Sequence, residues 1–222
     1  LLSSDGASHN FPFPAPKDTA EHAATAQGHV ELAAWLRTAA TAPAMQDGSD
    51  LFYAAYEGRA ADVAALLADG ADVNERAFKQ TSHGVVQTVT ALLGASQQGH
   101  TKIVTSLLAA SADVNLADRD GQTPLITACW KGHAEVVTKL LAANANINQV
   151  RNNGVTPLYV ACSFGHIALI ATLLAANANV NQADNEGGTP LWYACRDGHT
   201  KIVTKLLAAN ADTNQAIDGG AT

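Results

Sequence analysis

The chain is poor in charge and in aromatic rings: Asp, Glu, Lys and Arg make up 15% of its 222 residues, and Phe, Trp and Tyr only 5%. No two Lys or Arg residues are adjacent, and 20 acidic against 13 basic side chains give a net charge of −7. A sequence-independent grip on nucleic acid needs clustered cations, so no nucleic acid partner is expected. Long apolar runs are missing too. The longest, Ile167 to Ala171 carried on to Leu174, falls far short of the ~20 residues a membrane helix needs, so no membrane insertion is expected. The opening Leu1-Leu2-Ser3-Ser4-Asp5 lacks the basic and then apolar profile of a secretory leader, and no Asn-x-Ser/Thr sequon occurs. These absences together lead us to expect a soluble, cytoplasmic chain.

Catalytic signatures are equally scarce. There is no Gly-x-Ser-x-Gly, no phosphate-binding Gly-x-x-x-x-Gly-Lys-Ser/Thr, no His-Glu-x-x-His and no Gly-x-Gly-x-x-Gly. Asp118 and Asp120 lie close in sequence, but no second pair is placed to face them for acid–base work. The expectation is a non-enzyme without cofactor. Only three cysteines are present, at 129, 162 and 195, spaced by 33 residues. Equivalent positions in stacked units lie a helix-packing distance of ~8–10 Å apart, whereas a disulfide needs Cα atoms within about 7 Å. The cysteines therefore read as small buried side chains in a reducing compartment, in the slot that Ala55 and Ser96 fill earlier.

What the chain does have is a period. Gly-His recurs at 99–100, 132–133, 165–166 and 198–199, and Thr-Pro-Leu at 123–125, 156–158 and 189–191. A downstream signature repeats in step, as Ala112-Asp113-Val114-Asn115, Ala145-Asn146-Ile147-Asn148 and Ala178-Asn179-Val180-Asn181. A fixed period of 33 residues marks a solenoid, in which each unit buries its face only against its neighbours. Within a unit, Pro124, Pro157 and Pro190 suit the first turn of a short helix, and Gly132, Gly165 and Gly198 its left-handed end. A second helix carries paired rows, such as Ile103/Leu107 beside Val104/Leu108 and Val136/Leu140 beside Val137/Leu141, with Thr105, Thr138 and Lys139 pointing outward.

The frame predicts an unperiodic arm over 1–17, holding three of the seven prolines. A degenerate capping unit follows over 18–48, with Gln27-Gly28-His29 but no Thr-Pro-Leu. Full units are expected at 49–89, 90–122, 123–155, 156–188 and 189–222. Sixteen residues separate Asn74 from Thr90 where eight separate Asn115 from Thr123, so eight extra residues sit near 75–84. That insertion reads as a longer connecting finger, either functional or a neutral length variant. The last unit runs into Ile217–Thr222, which resembles the opening of another, and a longer array is expected.

The recurring frame resembles the ankyrin repeat, strongly from 90 to 215, less so over 49–89 and weakly over 18–48. One departure is consistent: the His that follows Thr-Pro-Leu in that family is Ile126, Tyr159 and Trp192 here, so its hydrogen bonding is replaced by apolar packing. The resemblance implies an all-α solenoid of helix-turn-helix units joined by β-hairpin-like turns, with a concave groove that binds another protein or peptide. It also places Asn115, Asn148, Asn181 and Asn214 where some family members are substrates of an asparaginyl hydroxylase, although a bond within the hairpin turn accounts for them.

Four His at 33-residue spacing cannot converge on one metal when ligands must lie within ~2.1 Å and layers are ~8–10 Å apart. Each is expected between its own two helices, with no metal bound. The positions left variable by the frame are the candidate partner-binding residues. In the first helices these are Tyr56, Glu57, Gln97, Gln98, Trp130, Lys131, Ser163, Phe164, Arg196 and Asp197. At the hairpin tips they are Arg119, Asp120, Gln122, Asn152, Asn153, Val155, Asn185 and Glu186. Tyr56, Trp130, Phe164 and Arg196 are the residue types that anchor interfaces. Trp130 and Phe164 could equally fold onto the neighbouring repeat. The expectation is a monomeric scaffold or adaptor; the alternative is a regulatory or targeting arm of an enzyme or channel whose active domain lies outside these residues.

Overall fold

The computed structural model describes residues 50–80 and 86–214; the expected arm and capping unit, residue 49, the middle of the insertion and the last eight residues lie outside them. Ten helices among the described residues pair up in sequence order. They are α1 (Asp50–Glu57) with α2 (Ala60–Ala68), α3 (Ala91–Gln98) with α4 (Thr101–Ala109), α5 (Pro124–Lys131) with α6 (Ala134–Ala142), α7 (Pro157–Ser163) with α8 (Ile167–Ala175), and α9 (Pro190–Arg196) with α10 (Thr200–Ala208). First helices stack on first helices, α1 on α3 and on through α5 and α7 to α9, and second helices stack in the same order.

The first helices α3, α5, α7 and α9 each begin at a Thr. Thr90, Thr123, Thr156 and Thr189 have extended backbones, and their hydroxyls accept the amide hydrogens of Leu93, Ile126, Tyr159 and Trp192 at 3.3, 3.2, 3.0 and 3.2 Å. This satisfies one of the amides that a helix start leaves without an intrahelical partner. Gly132 then adopts φ +78°, the left-handed value that ends α5 and turns the chain toward α6. The second helices put Ile103, Val104 and Leu107, Val136, Val137 and Leu140, and Leu169, Ile170 and Leu173 into one continuous core. The fourth position of each set, Leu108, Leu141 and Leu174, is half-buried, and Leu207 at the last described unit is 44% exposed.

The described residues on either side of the middle of the insertion form an antiparallel pair of strands, β1 (Ala77–Gln80) and β2 (Val86–Val89), in the register Ala77 to Val89 and Gln80 to Val86. Its base is anchored: Ala77 and Val89 are buried with Phe52 and Leu93 in a small satellite core, and the Arg76 guanidinium donates to the Ala117 carbonyl at 3.2 Å. Gly94 makes room for this core, since a Cβ there would lie 2.8 Å from Phe52 Cε2.

The structure corrects four expectations. The histidines do not stay between their own helices: His100, His133, His166 and His199 each place Nε2 3.1–3.3 Å from a carbonyl of the preceding unit, those of Tyr56, Gln97, Trp130 and Ser163. The helix ends without enough donors for its carbonyls, and the imidazole reaches across to one of them. The frame asparagines do not close their own turns. Asn74, Asn115, Asn148 and Asn181 instead accept the amides of Asp113, Asn146, Asn179 and Asp212 in the next unit at 2.7–2.8 Å. Their own turns are closed by the Asp or Asn two residues earlier, as Asp113 Oδ1 accepts from the Asn115 amide at 2.9 Å. Cys129 and Cys162 are buried, but Cys195 is exposed, because no described unit covers α9. Val155 is buried at 6% exposure, not displayed at a hairpin tip.

Candidate functional site

The repeat lattice lays the first-helix candidates in two rows, one residue per unit. Tyr56, Gln97, Trp130, Ser163 and Arg196 make one row; Glu57, Gln98, Lys131, Phe164 and Asp197 make the other. All sit in the last turn of their helices or just beyond it, where the chain is about to reverse. In the first row, the main chains at Tyr56, Gln97, Trp130 and Ser163 are fixed by the bridging histidines of the following units. Side-chain placement here is therefore set by two layers at once.

The structure brings some of these residues together and not others. Trp130, 38% exposed, and Phe164, 56% exposed, meet edge-to-face with centroids 6.3 Å apart. Phe164 also stacks on His166 at 6.4 Å, and the Lys131 ammonium lies 4.1 Å above the Trp130 ring. One unit further on, the Ser163 hydroxyl donates to Asp197 at 3.3 Å, and Arg196 holds Asp197 through Nε at 2.8 Å and Nη2 at 3.2 Å. The hydrogen bond from Arg196 keeps the Asp197 carboxyl below its ordinary value, and the same pairing raises the guanidinium. At the other end, the Tyr56 ring stacks on Phe52 at 5.7 Å, and Glu57 pairs with Arg59 at 2.9 Å. Gln97, half-buried, and Gln98, exposed, separate that end from Trp130 and Lys131.

The hairpin tips are more committed to structure than sequence reading suggested. Asn152 donates from its side chain to the Arg119 carbonyl at 3.0 Å and from its main chain to the Asp120 carbonyl at 3.1 Å. Asn185 repeats the step onto the Asn152 carbonyl and the Asn153 carbonyl, each at 3.0 Å. Gln122 is half-buried and donates to the Thr127 hydroxyl at 3.0 Å. Arg119, Asp120, Asn153 and Glu186 keep exposed side chains. Asp118, which accepts the amides of Gln122 and Asp120, has its carboxyl raised above the ordinary value by burial.

A cluster that the sequence reading did not assemble lies beside the last two described units. Tyr159 and Tyr193 pack with ring centroids 4.3 Å apart, and the Tyr193 hydroxyl donates to Asp184 at 2.9 Å. Arg196 caps the group, 4.5 Å above Tyr193 and 5.2 Å from the Trp192 centroid. Burial raises the phenol pKa of both tyrosines. Tyr159 and Trp192 were visible as departures from the frame. The signal for Tyr193 was its occurrence where the preceding units carry Thr127 and Val160, a change of size whose partner only the stack reveals.

Chemically the arrangement offers contact surface. The four imidazoles are engaged on separate carbonyls in separate layers, and burial pushes the Cys162 thiol up to about 12 and the Cys129 thiol beyond it. No group of three or more His, Cys, Asp or Glu among the described residues could hold a metal ion. No helix among them is long and apolar enough to cross a membrane.

A search of curated proteins finds no match to the chain. The family model described as "Ankyrin repeats (3 copies)" matches residues 78–151 and 138–217, more than half of the sequence. Ankyrin repeats are generally protein–protein interaction modules and are typically not catalytic. The match, the paired helices and the Thr-capped, Gly-terminated frame agree, and the chain belongs to the ankyrin-repeat family.

Proposed function

We propose that this chain is a non-catalytic scaffold or adaptor that binds a protein or peptide along the two rows of first-helix residues and the adjoining hairpin tips. The observation that carries this reading is the exposed aromatic pair Trp130–Phe164, held edge-to-face from successive repeats. Large rings left in water, on a main chain pinned by inter-repeat hydrogen bonds, present preformed contacts, so little ordering entropy is lost on binding. Arg196 and Asp197 extend the strip with charge and Ser163 with a hydroxyl, and Arg119, Asp120, Asn153 and Glu186 supply exposed side chains at the hairpin tips. Three unpaired thiols fit a reducing, cytoplasmic setting.

The test compares wild type with a Tyr56→Ala/Trp130→Ala/Phe164→Ala/Arg196→Ala variant in affinity capture from lysate. Captured proteins are identified and then titrated as purified components against both forms. Loss of binding by a variant with an unchanged circular dichroism spectrum supports the reading. Equal binding moves the site to the β1–β2 hairpin or the second helices.

A further inference from the structure

The rows have an uneven charge pattern, and it specifies the partner more closely. Side chains meet along a diagonal of the lattice, a first-row residue with the second-row residue of the next unit: Trp130 with Phe164, and Ser163 with Asp197. The same diagonal sets Lys131 opposite Gln97, and its neighbours along the second row are Gln98 and Phe164. All three are uncharged. Elsewhere in the rows charges are matched, Glu57 with Arg59 and Arg196 with Asp197. No carboxylate of the described residues pairs with Lys131. Its ammonium rests instead on the Trp130 ring at 4.1 Å, within the range of a cation–π contact.

Resting on the interface reading above, we infer that Trp130, Phe164 and Lys131 form a subsite for a peptide segment in which an aliphatic or aromatic side chain lies next to an Asp or Glu. The apolar side chain covers the exposed faces of Trp130 and Phe164. The carboxylate pairs with the Lys131 ammonium, which is already held over the indole. Shielding this pair from water by the bound side chain strengthens it over an ordinary exposed ion pair. A basic segment is disfavoured at the same place, because its cation would meet the Lys131 ammonium, which no carboxylate of the described residues pairs.

Selection of a phage-displayed random dodecapeptide library on the whole chain, followed by titration of the enriched peptides, tests this directly. Wild type should enrich Asp or Glu beside Leu, Phe, Trp or Tyr. Trp130→Ala/Phe164→Ala should weaken those peptides by about tenfold or more, as truncation of interface anchors does. Lys131→Glu should turn the enriched flank from acidic to Lys or Arg. Gln98→Glu, which supplies a carboxylate beside Lys131, should lower the acidic preference while leaving the apolar one. Circular dichroism melts confirm that all three variants fold. Enriched peptides that need Trp130 and Phe164 but show no acidic preference, or a flank unchanged in Lys131→Glu, overturn this inference and leave the interface reading standing. Peptides bound equally by the aromatic-pair variant, or no enrichment at all, overturn both.

Discussion

The Asn115 side-chain oxygen accepts the main-chain amide of Asn146, 31 residues later, at 2.7 Å. Equivalent bonds at 2.8 Å join Asn74 to Asp113, Asn148 to Asn179 and Asn181 to Asp212, so one asparagine per unit is tied to the turn of the unit that follows. Replacing Asn148 by Ala leaves the Asn179 amide without its acceptor. A loss of about 1 kcal/mol is expected, or a fall of about 2–4 °C in Tm for a unit of this size. Asn148→Asp keeps the acceptor and should cost less. Thermal melts of the two variants check this; equal losses would contradict the acceptor role.

The second-helix core makes the largest prediction. Leu140 and Leu173 have no exposed surface, whereas Leu207, the residue after the equivalent Leu206 in the last described unit, is 44% exposed. A carboxylate at either of the first two has no partner and no water, a penalty of several kcal/mol by known precedent for isolated buried charges. Leu140→Asp or Leu173→Asp should abolish the cooperative unfolding transition. Leu207→Asp should leave it nearly in place. Urea titrations followed by circular dichroism separate the outcomes, and a normal transition in Leu140→Asp would refute the core assignment.

The unit spanning 90–122 departs from its neighbours at two places that can be repaired. Ser96 is fully buried and its hydroxyl has no hydrogen-bond partner among the described residues, in the slot that Cys129 and Cys162 fill without such a cost. Ser111 sits at φ +66°, where the following units place Asn144, Asn177 and Asn210 at φ 61–63°. Asn tolerates the left-handed conformation better than Ser. Ser96→Ala and Ser111→Asn should each stabilise, by about 1 kcal/mol and about 0.5 kcal/mol respectively. The sites lie on separate elements, so the double variant should show the sum.

Gly94 tests the satellite core under the inserted hairpin. In an exposed helix, Gly→Ala gains about 1 kcal/mol from propensity. Here the added methyl would meet the buried Phe52 ring at 2.8 Å, and over-packing costs about 1–3 kcal/mol. Gly94→Ala is therefore expected to destabilise. Phe52→Leu in the same chain should recover part of the loss, and a double-mutant cycle by chemical denaturation measures that coupling.

Much of this fold was legible in the sequence because the period and the local chemistry agree: Thr at the helix start, Pro behind it and Gly at its end all favour one local conformation. The same locality explains what was missed. His133 and Asn115 occur at fixed places in the frame, so their spacing revealed that they matter. It did not reveal that their partners are Gln97 and Asn146 in adjacent units, because the offset between stacked layers is a tertiary quantity. Tyr193 and Asp184 are likewise nine residues apart in sequence and joined by a hydrogen bond that no helical or strand period predicts. Of the candidate strip, sequence identified Trp130, Phe164 and Arg196 as residue types. Stacking decided that the first two touch each other, and that Arg196 turns instead to Asp197 and Tyr193.

The three cysteines convert the layer count into a measurement. Cys129 and Cys162 are covered by the following units and Cys195 is exposed, so one thiol should react rapidly with a disulfide reagent under native conditions and all three after denaturation. Burial raises the Cys162 thiol from 9.0 to about 12, and raises that of Cys129 as well. An acid whose folded pKa is raised keeps its full contribution below the unfolded pKa and loses it as pH climbs toward the folded one, since the unfolded chain releases the proton first. Stability should thus decline between about pH 9 and pH 12, the interval bounded by the ordinary and the shifted Cys162 values. Cys129→Ala/Cys162→Ala removes both thiolates from the unfolded state, so its stability should fall less steeply across that interval than the wild type's. Parallel slopes in denaturation midpoints measured at successive pH values would show that other groups govern the alkaline limit.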